Sequence, residues 1–268
     1  MIVVQLNPDV PPTGSDLGIV NAARKSFGRR SEWEYEPDLE TGFKGQLKDK
    51  DKRLLEFLAR GMTAADFDEF LDKFYDPHYY GYDVKEMLWQ WRNTPTHDTP
   101  FNHGFFSFEV KAPIFVARHL VKHEYLIMSE YSRRYITDDV EFYTPEVWRK
   151  ASADVKQGSS DEAVELEYTT GNYGSLKNDT DVAYEHVYNV YEDMLKAGVA
   201  PEQARMVLPQ SLMTAWTWSG TLGAFANMCK LRLSPDTQYE TRLVAQQVYE
   251  ELKKQFPVAA PLLVEGVY

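Results

Sequence analysis

Apolar side chains recur with two different periods along this chain. Leu54, Leu55 and Leu58 keep the spacing of an amphipathic helix, which Gly61 would end. Thr63 is a candidate N-cap for a second helix, with Phe67, Phe70, Leu71 and Phe74 as its buried stripe. From Phe105 to Val110 the period drops to two: Phe106, Phe108 and Val110 fall on one face and Ser107 and Glu109 on the other, which predicts a strand with one buried side. Pro113 then precedes a mostly apolar helix over Ile114–His123. Glu130–Tyr135 predicts an extended segment or loop, on which Ser132 and Arg134 share a side.

Further along, Thr144-Pro145-Glu146 is a helix start, and Gly198 followed by Pro201-Glu202 marks one helix ending and another beginning. Ser234-Pro235-Asp236 opens a last long helix through about Phe256. Met206–Cys229 carries no charge and is long enough to span a bilayer. Its polar residues, among them Gln210, Ser211, Thr214, Thr217 and Asn227, would be costly in hydrocarbon, so a helix buried in the protein or in a subunit interface is expected instead of a membrane span. Two stretches interrupt the periodic framework: about 76–96 is rich in Tyr and Trp, and 152–181 is polar with scattered glycines. Both read as loop insertions in a single α+β domain covering 1–268, with no internal repeat.

Composition narrows the partners. With 43% apolar and 26% charged residues the 268-residue chain can bury a core. Its formal charge of -12 repels polyphosphate, so no nucleic-acid partner is expected, and an anionic ligand must be small and met by specific arginines. One cysteine, Cys229, lies in apolar surroundings that raise a thiol pKa, which makes it core filler and excludes an intrachain disulfide framework. Met1–Gln5 has neither a basic segment nor a long apolar run, so a cytoplasmic location is expected.

Candidate chemistry is densest in Arg118-His119-Leu120-Val121-Lys122-His123-Glu124 and Ser129-Glu130-Tyr131-Ser132-Arg133-Arg134-Tyr135. Two histidines four apart share a helical face, and a serine beside an arginine in an extended loop can both donate to phosphate, the arginine as a bidentate fork. A solvated face with ordinary ion pairs is an equally good account of these residues taken alone. His119 and His123, with His97-Asp98, also allow a metal-dependent hydrolase, but the glutamate usual between two such histidines is absent and no third ligand is identified; no metal is expected.

Five blocks in order carry a resemblance. Asp16–Phe27 with Ala22-Ala23-Arg24-Lys25-Ser26, His97-Asp98-Thr99-Pro100-Phe101-Asn102-His103, Lys122–Tyr135, Ala204-Arg205-Met206-Val207-Leu208-Pro209, and Leu231-Arg232-Leu233 with Asp236–Arg242 resemble the motifs of the flavin-dependent thymidylate synthase family. The resemblance implies an interwoven α+β fold with a central, largely antiparallel sheet packed by long helices, and an active site shared between the subunits of a homotetramer. It implies reductive methylation of dUMP to dTMP with FAD, NADPH and methylene-tetrahydrofolate, a reaction that needs no cysteine nucleophile.

Position by position, the resemblance assigns His119, Glu130, Ser132, Arg134, Arg205 and Arg232 to dUMP. Arg134 and Arg205 would meet the phosphate with Ser132, and Arg232 would reach the uracil and stabilise its developing negative charge. Arg232 and Ser132 are thus the candidate catalytic residues, Ser132 through binding, since no base is poised to activate it. Ser26, His97, Thr99, Asn102, Lys122, His123, Glu124 and Asn227 fall on the flavin side. The chain departs from the pattern where Lys122 and Glu124 replace arginines, Asn102 replaces a glutamate, and Thr221 and Gly223 replace an asparagine and an arginine. These departures keep two alternatives open: a different C5 modification such as hydroxymethylation of dUMP or dCMP, and a nucleotide-binding relative without catalysis.

Overall fold

The computed structural model describes residues 1–38, 42–60, 69, 72, 97–152, 159–164 and 176–265. The expected helix after Thr63, the Gly61 stop and the loop at about 76–96 lie outside the described residues. The chain has mixed helix and strand around a central, largely antiparallel sheet. It divides into two compact units: Met1–Asp9, Ser107–Ser219 and Leu231–Val248 form the first, and Val10–Phe106, Gly220–Lys230 and Tyr249–Tyr268 the second.

The first unit is built on β1 (Val3–Leu6), β4 (Phe105–Pro113), β8 (Met213–Thr221) and β5 (Leu126–Glu130), in the spatial order β1-β4-β8-β5. β1 pairs antiparallel with β4, Val3 opposite Lys111 and Leu6 opposite Phe108. The predicted strand at Phe105 is correct in place but not in having one buried side: Ser107 is as buried as Phe108 and Val110, because a central strand is covered on both faces. Its hydroxyl accepts from Asn7 Nδ2 at 3.2 Å and lies 2.8 Å from Ser219 Oγ.

The largest correction concerns Met206–Cys229, which is not one helix. Arg205–Val207 forms a 3-10 turn, Met213–Thr221 is β8, and only Leu222–Arg232 is helical (α6). In Thr214–Thr221 burial alternates, placing Trp216 and Trp218 inward while Thr217 donates to Glu109 Oε1 at 2.7 Å; that period-two pattern decides for a strand over absence of charge. Among the described residues no helix is long and apolar enough to cross a membrane.

The helix α3 after Pro113 spans Ile114–Leu120 and ends three residues earlier than expected, in a turn closed by the His123 N–H on the Leu120 carbonyl at 3.1 Å. Thr144-Pro145-Glu146 starts no helix; it leads into the strand β6 (Arg149–Ala151), which pairs with β7 (Ser159–Ala163). The stretch 152–181, expected as a loop, therefore contributes β7 and the opening of α4 (Leu176–Lys196). Gly198, at φ +85, closes α4 in a conformation that costs glycine nothing, and α5 (Pro201–Ala204) follows as expected. The long helix α7 (Tyr239–Gln255) begins after, not at, Ser234-Pro235-Asp236, and α8 (Ala259–Val264) comes after it.

In the second unit α1 (Asp16–Lys25) is capped by Ser15, whose Oγ accepts from Gly18 N at 3.2 Å. Asp16 is buried and accepts from the Val258 and Ala259 N–H groups at 3.0 and 2.9 Å, satisfying the start of α8. The helix α2 (Asp49–Arg60) buries Leu55 and Leu58, as the sequence predicts, and also Asp51. Asp51 Oδ1 accepts from both Nε and Nη2 of Arg24 and its Oδ2 accepts from Ser31 Oγ, so α1 and α2 are tied by an internal charge. β2 (Glu34–Asp38) and β3 (Gly42–Gln46) form a hairpin. Phe106, Phe225 and Phe256 pack as a cluster, and Cys229 is fully buried, its thiol pKa pushed up by desolvation.

Candidate functional site

Arg232 is the last residue of α6 and lines a cavity of about 850 Å³ in the first unit. Its Nε donates to His123 Nε2 at 2.9 Å and its Nη2 to the His119 carbonyl at 3.3 Å. Both acceptors are neutral, and among the described residues Arg232 makes no ion pair with a carboxylate, so its charge is held in place without being neutralised. Burial lowers its pKa, as expected for a cation drawn from water.

The two histidines are placed differently from the expected helical pair. His119 is on α3, and its Nδ1 lies 3.0 Å from Thr241 Oγ1 of α7. His123 stands in the turn beyond, so the two do not share a helical face; each reaches the same arginine, one by its ring and one by its carbonyl. Burial first, and the Arg232 charge second, lower the His123 pKa to about 4. The ring is neutral near pH 7, and because Nε2 accepts, Nδ1 carries the proton. His119 is lowered by burial, then by Arg232 and Lys122. Among the described residues no group of three or more His, Cys, Asp or Glu is arranged to hold a metal.

Several residues of this cavity belong to no motif singled out in the sequence. Arg149 stacks over the Tyr239 ring at 3.9 Å and pairs with Asp161 at 2.7 Å, so the β6–β7 hairpin fixes it at the cavity wall. Tyr143 donates weakly to Glu240 at 3.4 Å, and burial with the Glu240 charge raises its pKa. Trp148 Nε1 and Ser211 Oγ are buried without a hydrogen-bond partner among the described residues, and both residues line the cavity. Orphaned polar atoms in a cavity wall are groups that a ligand or water can satisfy.

The remaining substrate candidates form a separate group in the same unit. Glu130, at the end of β5, accepts from Thr214 Oγ1 at 2.9 Å. Ser132 Oγ accepts from the Arg134 N–H at 3.4 Å, and Arg134 pairs with Glu202 at 3.2 Å. Glu202 is three residues before Arg205, so the two expected phosphate arginines lie on neighbouring segments. Both are exposed, and a half-exposed pair such as Arg134–Glu202 is easily exchanged for a stronger anion. Ser132, Arg134 and Arg205 are not among the residues lining the Arg232 cavity. The neighbouring Arg133 is buried and donates to the Asp138 and Asp139 carbonyls, a loop-holding role that its place in the motif conceals.

Of the flavin-side candidates, Lys122, His123 and Glu124 occupy the turn after α3 in the first unit. Ser26, His97 and Thr99 line a cavity of about 920 Å³ in the second. Asn102 accepts from Thr221 Oγ1 at 2.7 Å, and a Cβ built on Gly223 would stand 2.6 Å from Asn102 Oδ1. The three altered positions are therefore one local arrangement. Asn227 is exposed on α6.

The family model for the thymidylate synthase complementing protein matches residues 11–258. The chain is 37% identical over 168 residues to the flavin-dependent thymidylate synthase of Thermus thermophilus, covering 61% of this chain and 57% of that one. It is 38% identical over 171 residues to the enzyme of the same name from Wolbachia pipientis, with 63% and 58% covered. The matched part thus spans 57 to 58% of the length of these relatives. The fold resembles that of the UMP/dUMP methylase PolB from Streptomyces cacaoi: TM-score 0.65 with 24% identity over 99% of this chain and 95% of that one for the form bound with 5-Br UMP, and 0.63 for the form bound with 5-Br dUMP.

Proposed function

The chain belongs to the thymidylate synthase complementing protein family, and from that premise we propose that it is a flavin-dependent thymidylate synthase, methylating C5 of dUMP with methylene-tetrahydrofolate as carbon donor and NADPH as reductant. The observation that carries the reading is Arg232, a guanidinium fixed by two neutral acceptors at a cavity and left without a carboxylate partner among the described residues. Such a charge is pre-organised for an anion that develops in the ligand, here on the uracil ring as C5 chemistry proceeds. Neutral His123 orients it without weakening it.

The phosphate of dUMP falls to Ser132, Arg134 and Arg205, with Glu130 and His119 completing the substrate contacts. That these phosphate-binding candidates do not line the Arg232 cavity supports a site completed by another copy of the chain, in keeping with the homotetramer that the family resemblance implies. The buried, unreactive Cys229 agrees with chemistry that needs no thiol and with a cytoplasmic setting.

The second unit suits a flavin. Ser26, His97 and Thr99 line its cavity, Phe57 stacks on His97 at 6.0 Å, and the described lining holds cations and apolar groups but no carboxylate. When bound, the flavin supplies the hydride that reduces the transferred carbon unit. Ser26 and Thr99 can donate to it, and the apolar wall excludes water.

The test is to incubate the protein with dUMP, methylene-tetrahydrofolate, NADPH and FAD and to weigh the nucleotide product. A methyl group added at C5 is expected. A hydroxymethyl group would move the assignment to the other C5 modification, and dUMP binding without any product would make the chain a non-catalytic relative.

A further inference from the structure

The second unit gathers positive charge in a chain whose overall balance is -12. Four cations line the 920 Å³ cavity: Arg24, Arg29, Lys50 and Arg53. Arg24 is neutralised by the buried Asp51. The side chains of Arg29, Lys50 and Arg53 have no hydrogen-bond or ion-pair partner among the described residues, and no carboxylate appears in the described lining. Three unpaired like charges facing one cavity repel each other, and an anion placed among them would relieve that repulsion.

Aromatic surface stands beside these charges. Phe27 is 79% exposed and Phe57 42% exposed on the same cavity, where an unliganded apolar ring gains nothing from water. The combination suits a ligand with a flat ring joined to a chain of several negative charges. A single terminal phosphate concentrates about two charges on three oxygens at one point, whereas the bridging diphosphate of a dinucleotide spreads about two charges over four non-bridging oxygens, within the span of a few side chains.

We propose that Arg29, Lys50 and Arg53 bind the diphosphate of a dinucleotide cofactor, the flavin dinucleotide on the reading above. The inference rests on that reading for the cofactor's identity but not for the site's chemistry. It gives a lost arginine a replacement in the same unit: Gly223 stands where the family resemblance places an arginine, and these three residues, which none of the five motifs assigns to the cofactor, supply positive charge to that unit's cavity.

The experiment titrates the full chain with FAD, riboflavin, ADP and a polyglutamyl folate, following flavin fluorescence and the heat of ADP and of folate binding, at low and at moderate salt. The variants are the double Arg29→Glu/Arg53→Glu, its neutral form Arg29→Gln/Arg53→Gln, and Lys50→Gln. All three sites are exposed, and thermal melting checks that each variant is folded. FAD and ADP should weaken by about tenfold or more in the charge-reversed double variant, less in the neutral one, and with rising salt, while riboflavin changes by less than about twofold.

Equal FAD affinity in wild type and the reversed variant overturns the proposal. So does a variant that loses only polyglutamyl folate, since the cations would then serve a carboxylate tail. If wild type binds ADP with this charge dependence but no flavin, the flavin reading fails and the diphosphate site stands. If neither FAD nor ADP binds, both fail.

Discussion

Arg232 donates to His123 through Nε, at 2.9 Å, while its Nη2 reaches the carbonyl of His119, so one guanidinium is aimed by one point on α3 and one on the turn that closes it. A lysine at this position would keep the charge, but a single ammonium on a flexible stem cannot hold the same fork. Arg232→Lys is therefore expected to lower kcat for dTMP formation by roughly a hundredfold, the scale of losing one pre-organised donor, with a smaller change in KM for dUMP. A kcat within about twofold of wild type would mean that this charge is not used in the chemistry.

The same contact sets a pH dependence. Burial and then the Arg232 charge bring the His123 pKa from 6.5 to about 4, so between those values the unfolded chain binds a proton that the folded chain does not. This contribution to stability is complete above about pH 6.5 and is lost as the pH falls toward 4. His123→Gln keeps an acceptor for Arg232 and does not titrate. Its melting temperature should therefore fall less steeply than that of wild type across this window. His119, lowered in the same direction, keeps the slope from vanishing. Parallel curves for the two proteins would remove His123 from the account.

Much of the frame was legible because it depends on local patterns. The strand at Phe105, the α2 stripe of Leu55 and Leu58, and the Gly198-Pro201 helix boundary follow from period and from residues with special backbone preferences. Met206–Cys229 misled because absence of charge signals burial, not helix; the alternation around Trp216 and Trp218 held the needed signal. Thr144-Pro145 misled because a good N-terminal signal was followed by residues that pair across to β7. At the site, motif spacing found Arg232 and His123, whereas Arg149, Tyr143 and Ser211 reach the cavity through long-range pairing that no local spacing encodes. Arg133 shows the opposite limit: it sits inside a motif and serves the loop.

Asp51 is fully buried on α2, bound by Arg24 and Ser31. Removing the arginine alone would leave a buried carboxylate whose charge is no longer met, at a cost on the order of 3 kcal/mol, the low end for such pairs because Arg24 is partly exposed. Arg24→Leu should lower the urea midpoint accordingly, and Arg24→Leu/Asp51→Leu should recover part of the loss by removing the stranded charge. A single variant that costs less than about 1 kcal/mol, or a double variant no better than the single, would show that Asp51 is satisfied without Arg24.

Gly223 and Asn102, both of which differ from the family motifs they resemble, are neighbours in the structure. A Cβ at 223 would stand 2.6 Å from Asn102 Oδ1, the atom that accepts from Thr221. Asn102 is exposed and can swing aside, but only by giving up the Thr221 hydrogen bond. In a helix such as α6, glycine to alanine is by itself stabilising by up to about 1 kcal/mol. Gly223→Ala should therefore stabilise an Asn102→Ala background and be neutral or destabilising in wild type, a coupling of about 1 to 2 kcal/mol in a double-mutant cycle read by urea unfolding. Additive effects would show that the two substitutions were accepted independently, and that an arginine could be restored at 223 without altering 102.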